Sequence, residues 1–577
     1  MDPDAMDISG QPHRYPPNLS GIPTELQLRI VDYVTTKADL RSLCLTSSAL
    51  RLLAIPLLYR RIKLELWSPG AIEQLRECNL HGAGPHFQHT KELIIENECL
   101  CGPLPSIHNG RIRIPEAMPK EWEDDAHDLE IEHFENQQDV NAHYGVKVNL
   151  ASYLSQRPVP QMVKSHLRNY QNNIQDLKIS LYTDPGSFGK LPRVFCGLQR
   201  LDIYHNDQSD IILLFENIES VGASLKRLSL TAANVGALNG QLDAWVDSEP
   251  DDLTRYTPML EELRLANFVV PGTFVAFDHV IDFYKLSRLE LLVDKGGNLD
   301  FVLELAERAQ GNRFKLKHIA LEFMRGTLLT EDHLLAIMTL FSYCERLESL
   351  HLRFPDEERF PARFFNVFDA LPHNLQSLSI SFDVDTTPTV ALQNQMLLSR
   401  LQRSSLNGIK QLAYQFDEKD LTAESNGSSY DNVVNSLRGF QQLRLLHIRV
   451  EDSTLMGKSP IYDDQPLEEV LVDPHILALQ MQTFANRLFE DMHRGGHSKL
   501  DALVVGHATS AEAAAELQQQ CFVRGEQRDI LGRTVPVGVP VSQAMLRETQ
   551  PYTDILDIDF PRTSSSDGFE GWAGEAF

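Results

Sequence analysis

Five polar side chains at repeating intervals carry the most specific chemistry in this sequence: His351, Arg353, Gln415, His447 and Arg449. Each lies in or directly after an apolar-x-x-apolar-x-apolar run: Leu347-Leu350-Leu352, Ile409-Leu412-Tyr414 or Leu443-Leu446-Ile448. In an extended strand, residues between and after the leucines alternate to the opposite face, so these five share one surface. No carboxylate is among them. An Arg fork binds carboxylates and phosphates bidentately, so the expected chemistry is capture of an acidic or phosphorylated protein segment. At equivalent positions Leu471 and Val504 are apolar, which implies that the last repeats are covered on this face, by the tail.

Other chemistries find less support. Cys78, His81, His86, His89, Cys99 and Cys101 are zinc-ligand types within 24 residues. Their spacing matches no familiar finger, and Leu93-Ile94-Ile95 reads as a strand running through them, so an early-repeat core with two buried cysteines is expected. Gly457-Lys458-Ser459 ends like a P-loop, but Asp452 stands where the first glycine is needed. There is no G-x-S-x-G elbow, H-E-x-x-H pair or dinucleotide fingerprint. Asp554, Asp557 and Asp559 lie in a segment expected to be a solvated acidic run rather than a rigid carboxylate pair. A non-enzyme without cofactor or metal is the expectation.

The elements that must position the five polar residues are repeats. The six-residue pattern recurs twelve times: at Ile174-Leu177-Ile179, Leu198-Leu201-Ile203, Leu225-Leu228-Leu230, Leu260-Leu263-Leu265, Leu286-Leu289-Leu291, Leu316-Ile319-Leu321, the three runs above, Leu375-Leu378-Ile380, Leu467-Val470-Val472 and Leu500-Leu503-Val505. The intervals average about 30 residues, the length at which each strand is followed by a helix. Ile211–Phe215, Phe301–Ala306 and Leu334–Phe341 have the apolar density of such helices. One strand–helix unit cannot bury its apolar face alone, so neighbours stack into a continuous core. The spacing predicts an α/β chain: a curved leucine-rich-repeat solenoid with parallel strands on the concave face and helices on the convex face.

Composition sets the outer bounds. The 577 residues include 53 Lys and Arg against 80 Asp and Glu, a net charge of −27, and 42% are apolar. That apolar share excludes wholesale disorder, and the acidity argues against a nucleic-acid binder or a basic membrane-surface protein. Seven cysteines without framework spacing fit a reducing compartment. The acidic start is unlike a signal peptide and no run of about 18 apolar residues occurs, so a cytoplasmic or nuclear location is expected.

Ahead of the repeats, apolar residues at Leu26, Ile30, Val31 and Val34 have helical spacing; Asp39 stands as cap or first-turn acid for Leu40, Leu43 and Cys44. Thr46 or Ser47 opens a third helix with Leu50, Leu53, Ala54 and Leu57. The stretch Ile22-Pro23-x-Glu25-Leu26, Ile30-x-x-Tyr33-Val34, Asp39-Leu40-x-x-Leu43-x-Leu45-x-Ser47 resembles an F-box. Its continuation, Ala54-Ile55-Pro56-Leu57-Leu58-Tyr59-Arg60-Arg61-Ile62-Lys63-Leu64, resembles the exit from the F-box in fungal members. With the array behind it, the chain resembles F-box proteins with degenerate leucine-rich repeats.

The resemblance implies a substrate-recognition adaptor of an SCF-type cullin-RING ubiquitin ligase, with a three-helix F-box docking the Skp adaptor and the repeats holding a protein substrate. Carried over by position, the adaptor-facing residues are Ile22, Pro23, Leu26, Ile30, Val34, Leu40 and Leu43. Two departures stand out: Leu50 replaces a frequent Trp, and the Asn that closes each repeat strand is nearly absent. The alternatives are an interaction scaffold outside any ligase and a small-molecule sensor using the concave face. The expected organisation is a disordered lead-in at 1–18, the F-box at 19–64, early degenerate repeats at 65–173 with an acidic insertion at 103–147, the solenoid at 174–524, and a flexible tail at 525–577. Gly240–Pro258 and Asp417–Tyr430 read as loops, and Ala511–Gln520 as a closing helix.

Overall fold

The computed structural model describes residues 22–34, 36–65, 84–97, 107–108, 111–112, 173–181, 197–205, 224–232, 260–266, 277, 281–293, 300–309, 313–323, 329–354, 362–382, 400–401, 408–415, 428–449, 474–494, 498–506, 520–550 and 555. Outside them lie the run Leu467–Val472 expected as a strand, Ile211–Phe215 expected as a helix, the lead-in, most of the acidic insertion, Gly240–Pro258 and the P-loop-like Gly457–Ser459. The chain divides into two compact units, residues 1–205 with 213–225 and residues 206–212 with 226–577.

The first unit begins with three helices: α1 (Thr24–Asp32), α2 (Lys37–Thr46) and α3 (Ser48–Leu58). Their starts are written in the sequence. Thr36 caps α2 by accepting from the Asp39 amide, and Ser47 caps α3 by accepting from the Leu50 amide. Asp39 is therefore the first-turn acid, and it also accepts from the Thr36 hydroxyl at 2.6 Å. Val31, Leu40 and Ala54 form the buried centre, with Val34, Leu43, Leu53 and Leu57 packed around it. Parallel strands β1 (Arg61–Glu65), β2 (Glu92–Asn97), β3 (Asp176–Leu181) and β4 (Arg200–His205) follow in chain order. Tyr59 closes α3 against His86 and Phe87 of the 3₁₀ turn Gly84–His89.

The second unit continues the scheme with nine parallel strands: β5 (Arg227–Ala232), β6 (Glu262–Ala266), β7 (Arg288–Val293), β8 (His318–Phe323), β9 (Ser349–Phe354), β10 (Ser377–Phe382), β11 (Gln411–Gln415), β12 (Leu445–Arg449) and β13 (Ala502–Val505). Leu263, Leu289, Ile319, Leu350, Leu378, Leu412, Leu446 and Leu503 stand in one register row, all completely or almost completely buried. Each such burial is worth about 1.5–3 kcal/mol, which is why the leucine spacing survives while intervening residues vary. Between strands, α4 (Asp300–Ala309), α5 (Glu331–Tyr343) and the 3₁₀ segment Ala362–Ala370 pack side by side, and α6 (Ser428–Arg438) packs on α7 (Pro474–His493).

Main-chain bonds tie successive repeats at the strand starts. The carbonyl before each strand accepts two amides from the next repeat: Lys226 O takes Glu261 and Glu262 N–H at 2.8 and 3.0 Å, and Glu348 O takes Gln376 and Ser377 N–H at 2.8 and 3.0 Å. Polar residues ahead of some repeats add a tie, as when Asn173, Ser224 and Asn374 donate to the carbonyls of Gln88, Leu198 and Glu345.

The C-terminal region corrects one expectation. Residues from 525 onward do not begin a flexible tail: β14 (Gln520–Arg528) pairs antiparallel with β13 and with β15 (Thr534–Val541), and α8 (Gln543–Thr549) follows. The prolines and glycines that suggested disorder finish a sheet edge instead. On β15 the Gly538 N–H donates to Asn486 Oδ1 at 2.9 Å and its carbonyl accepts from Gln482 Nε2 at 2.6 Å, both from α7. Backbone alternation turns Pro536 and Pro540 the same way, and neither has an N–H to offer. Such an edge cannot recruit another strand. Gln520, expected in a closing helix, opens β14; Ala511–Gln519 lie outside the described residues.

Candidate functional site

In the second unit, the face opposite the leucine row changes character along the repeats. On β5–β7 it is ion-paired: Arg227 with Glu262, Arg288 with Glu290 at 2.7 Å, and Arg264 with Glu290 at 3.7 Å. These pairs are partly exposed and order the surface more than they stabilise it.

On β8–β12 it becomes a buried polar row. Glu322 Oε1 lies 2.9 Å from His351 Nε2, His351 Nδ1 lies 2.7 Å from Ser379 Oγ, and Arg449 Nη2 donates to the same Ser379 Oγ at 2.8 Å. An imidazole with its hydrogen on Nε2 is one arrangement that fits all three contacts. Arg449 donates to the Ser379 oxygen, the Ser379 hydroxyl donates to Nδ1, and Nε2–H donates to the Glu322 carboxylate. Arg449 reaches diagonally from β12 to β10: its own register neighbour on β11 is Gln415, and that of Ser379 is Ala413, whose short side chain lets the arginine pass. Next to it, burial and the Arg449 charge push the His447 imidazole down to about 3, against a supporting hydrogen bond from Nε2 to the Gly506 carbonyl at 3.0 Å. The order Ser–His–Glu has the outline of a nucleophile, base and acid, but the Arg449 donor occupies the serine oxygen and all these groups are buried.

On β11–β15 the face is apolar. Ala413, Leu445, Ala502, Val504 and Cys521 form one cluster with Leu546 of α8 and Ile555. The Ile555 amide donates to Gln411 Oε1 at 2.9 Å. Covering of Val504 by C-terminal residues is what its place in the strand implied.

The expected stripe is therefore placed differently. His351, His447 and Arg449 are 3%, 0% and 7% exposed, Arg353 is half-buried, and Gln415 stands beside Arg449 in register. The face is not an open basic surface; Glu322, one repeat earlier and diagonal to His351, supplies the missing carboxylate. Sequence reasoning listed outward residues singly and missed that a diagonal neighbour pairs them. It placed Ser379 on the outward face without giving it a role, and did not single out Gln411; their importance depends on contacts 70 and 144 residues away.

In the first unit the seven carried-over residues separate by burial. Pro23, Leu26 and Ile30 are exposed; Ile22, Val34 and Leu43 are half-buried; Leu40 is buried and belongs to the helices' own core. Leu28, Tyr33, Leu45 and Leu52 are exposed as well, Leu45 at 89% and Tyr33 at 86%. Also within this unit, a pocket of about 520 Å³ is lined by Arg60, His89 and Lys91 with Asp32 and Leu57. Of the six Cys and His residues with zinc-ligand side chains, His86 and His89 are described, and His86 packs on Tyr59; Cys78, His81, Cys99 and Cys101 lie outside the described residues. Among described residues no group of His, Cys, Asp or Glu is placed to hold a metal ion, and no helix is long and apolar enough to cross a membrane.

No protein-family profile matches the chain, and no curated protein matches it. A solved structure with weak similarity is the leucine-rich repeat-containing protein LegL7 from Legionella pneumophila. It is 12% identical, with a TM-score of 0.32, over 63% of this chain and 93% of that one.

Proposed function

We propose that this chain is a non-catalytic protein-interaction receptor: its repeats bind a protein, and its helical head docks the Skp adaptor of an SCF-type cullin-RING ubiquitin ligase. One observation carries the docking half. Six of the twelve exposed large apolar side chains among the described residues, Leu26, Leu28, Ile30, Tyr33, Leu45 and Leu52, sit on the three short helices of the head or, for Tyr33, at the C-cap of the first. An apolar surface concentrated on so small a unit favours association, because burying it against a partner removes it from water. The F-box-like motif names the partner, and the stacked parallel repeats supply the second surface. Ubiquitin transfer itself would belong to the other subunits, in the cytoplasm or nucleus. Mixing the full chain with purified Skp adaptor, cullin and RING subunits tests this. Co-elution as one complex is expected, whereas elution of a folded chain apart from the others contradicts it and leaves an interaction scaffold outside the ligase.

A further inference from the structure

Two like charges stand side by side at the pocket of the first unit. Arg60 and Lys91 occupy the position just before β1 and β2, and the Lys91 amide donates to the Arg60 carbonyl at 2.9 Å. Neighbouring strands lie about 4.8 Å apart, so two cations at one level of a sheet repel each other unless an anion lies between them. In the second unit, three cations at this same position have partners on the neighbouring strand. Lys317 pairs with Glu348 at 3.3 Å, Arg444 pairs with Asp501 at 3.5 Å, and Lys410 donates to Gln376 Oε1 at 2.9 Å. Arg60 and Lys91 have no such partner among the described residues, because the adjacent Glu92 is engaged by Arg61 at 3.2 Å.

The pair borders the cavity of about 520 Å³, which His89 and the apolar Pro56, Leu57 and Ile174 also line. Asp32 is the one carboxylate among its described lining residues, and it forms no ion pair with either cation. A cavity of this volume holds a small organic molecule. An Arg fork beside a Lys ammonium offers two positive charges to one group; a phosphate monoester brings about two negative charges and three acceptor oxygens, a carboxylate only one charge. We infer that this pocket binds a small molecule carrying one phosphate monoester, with the phosphate between Arg60 and Lys91 and the organic part against Pro56 and Leu57. In a chain of net charge −27 the general field repels anions, so such binding comes from these local contacts. The inference depends neither on adaptor docking nor on partner binding by the repeats.

The test titrates the full chain with phenyl phosphate, and separately with inorganic phosphate, by ligand-observed NMR. Phenyl phosphate is expected to bind with a Kd of about 1 mM or tighter, and inorganic phosphate more weakly because it leaves Pro56 and Leu57 uncovered. Arg60→Gln and Lys91→Gln, both at exposed positions whose main-chain bonds remain, should each weaken phenyl phosphate binding at least about tenfold. Lys317→Gln removes a cation at the same pre-strand position that already has Glu348 as its partner, and should leave the affinity unchanged. No saturable binding of phenyl phosphate by a folded wild-type chain overturns the proposal. An equal loss in Lys317→Gln and in the two pocket variants also overturns it, since the chain's overall charge would then set the affinity. Equal affinity for the two probes overturns the assignment of an organic ligand.

Discussion

Arg449 Nη2 lies 2.8 Å from Ser379 Oγ although the two residues stand on strands two repeats apart. The contact runs diagonally across β11, where Ala413 is the register neighbour of Ser379 and has a side chain short enough to be passed over. Removing the hydroxyl by Ser379→Ala would strip a buried arginine and a buried imidazole of a shared partner. A loss of about 1–3 kcal/mol in urea unfolding is expected. A cycle with His351→Ala should show non-additivity, since both changes remove the same bond.

His447 gives the chain an acid-sensitive element. Its folded value of about 3 lies below the ordinary 6.5, so between these values the unfolded chain binds the proton and the folded chain does not. Stability contributed by neutral His447 is complete above pH 6.5 and is lost as pH falls toward 3, at up to about 1.4 kcal/mol per pH unit. His447→Gln is expected to flatten that part of the stability–pH curve, measured by urea unfolding between pH 7 and 4.

Much of this architecture was legible in the sequence. The leucine row located the strands because a fully buried apolar position tolerates little else, and Ser47 marked the start of α3 because a cap must follow its own chemistry. The state of the outward face was not legible. Burial of His351 and Arg449 comes from cross-repeat partners, and burial of Gln411 and Ala413 comes with a residue 144 positions away from the first. The Pro- and Gly-rich stretch after Gly525 was ambiguous for a different reason: the residues that keep a tail unstructured also blunt an edge strand.

That edge makes a prediction of its own. A Cβ at Gly538 would lie 3.0 Å from the Ala485 Cβ and 3.4 Å from the Phe489 ring. Gly538→Ala should therefore push β15 away from α7 and cost about 1–3 kcal/mol. Pro536→Thr with Pro540→Thr would restore two outward N–H groups. Increased self-association on light scattering, with little change in the unfolding midpoint, is the expected result.

The head separates stability from docking. Leu40→Ala removes a buried side chain and is expected to cost about 2–5 kcal/mol in unfolding of the head. Thr36→Ala removes the α2 cap at about 1 kcal/mol. Leu45→Asp, at a position 89% exposed, should leave thermal unfolding nearly unchanged. Circular dichroism of the three variants checks the ordering.

The most direct measurement of the central claim is a calorimetric titration of the full chain with purified Skp adaptor, alongside Leu26→Asp with Leu45→Asp. Binding by the wild-type chain and its loss in the equally folded double variant is the predicted result. No heat of binding from a folded wild-type chain, or undiminished affinity in the variant, would contradict the assignment of the head as the adaptor-docking surface.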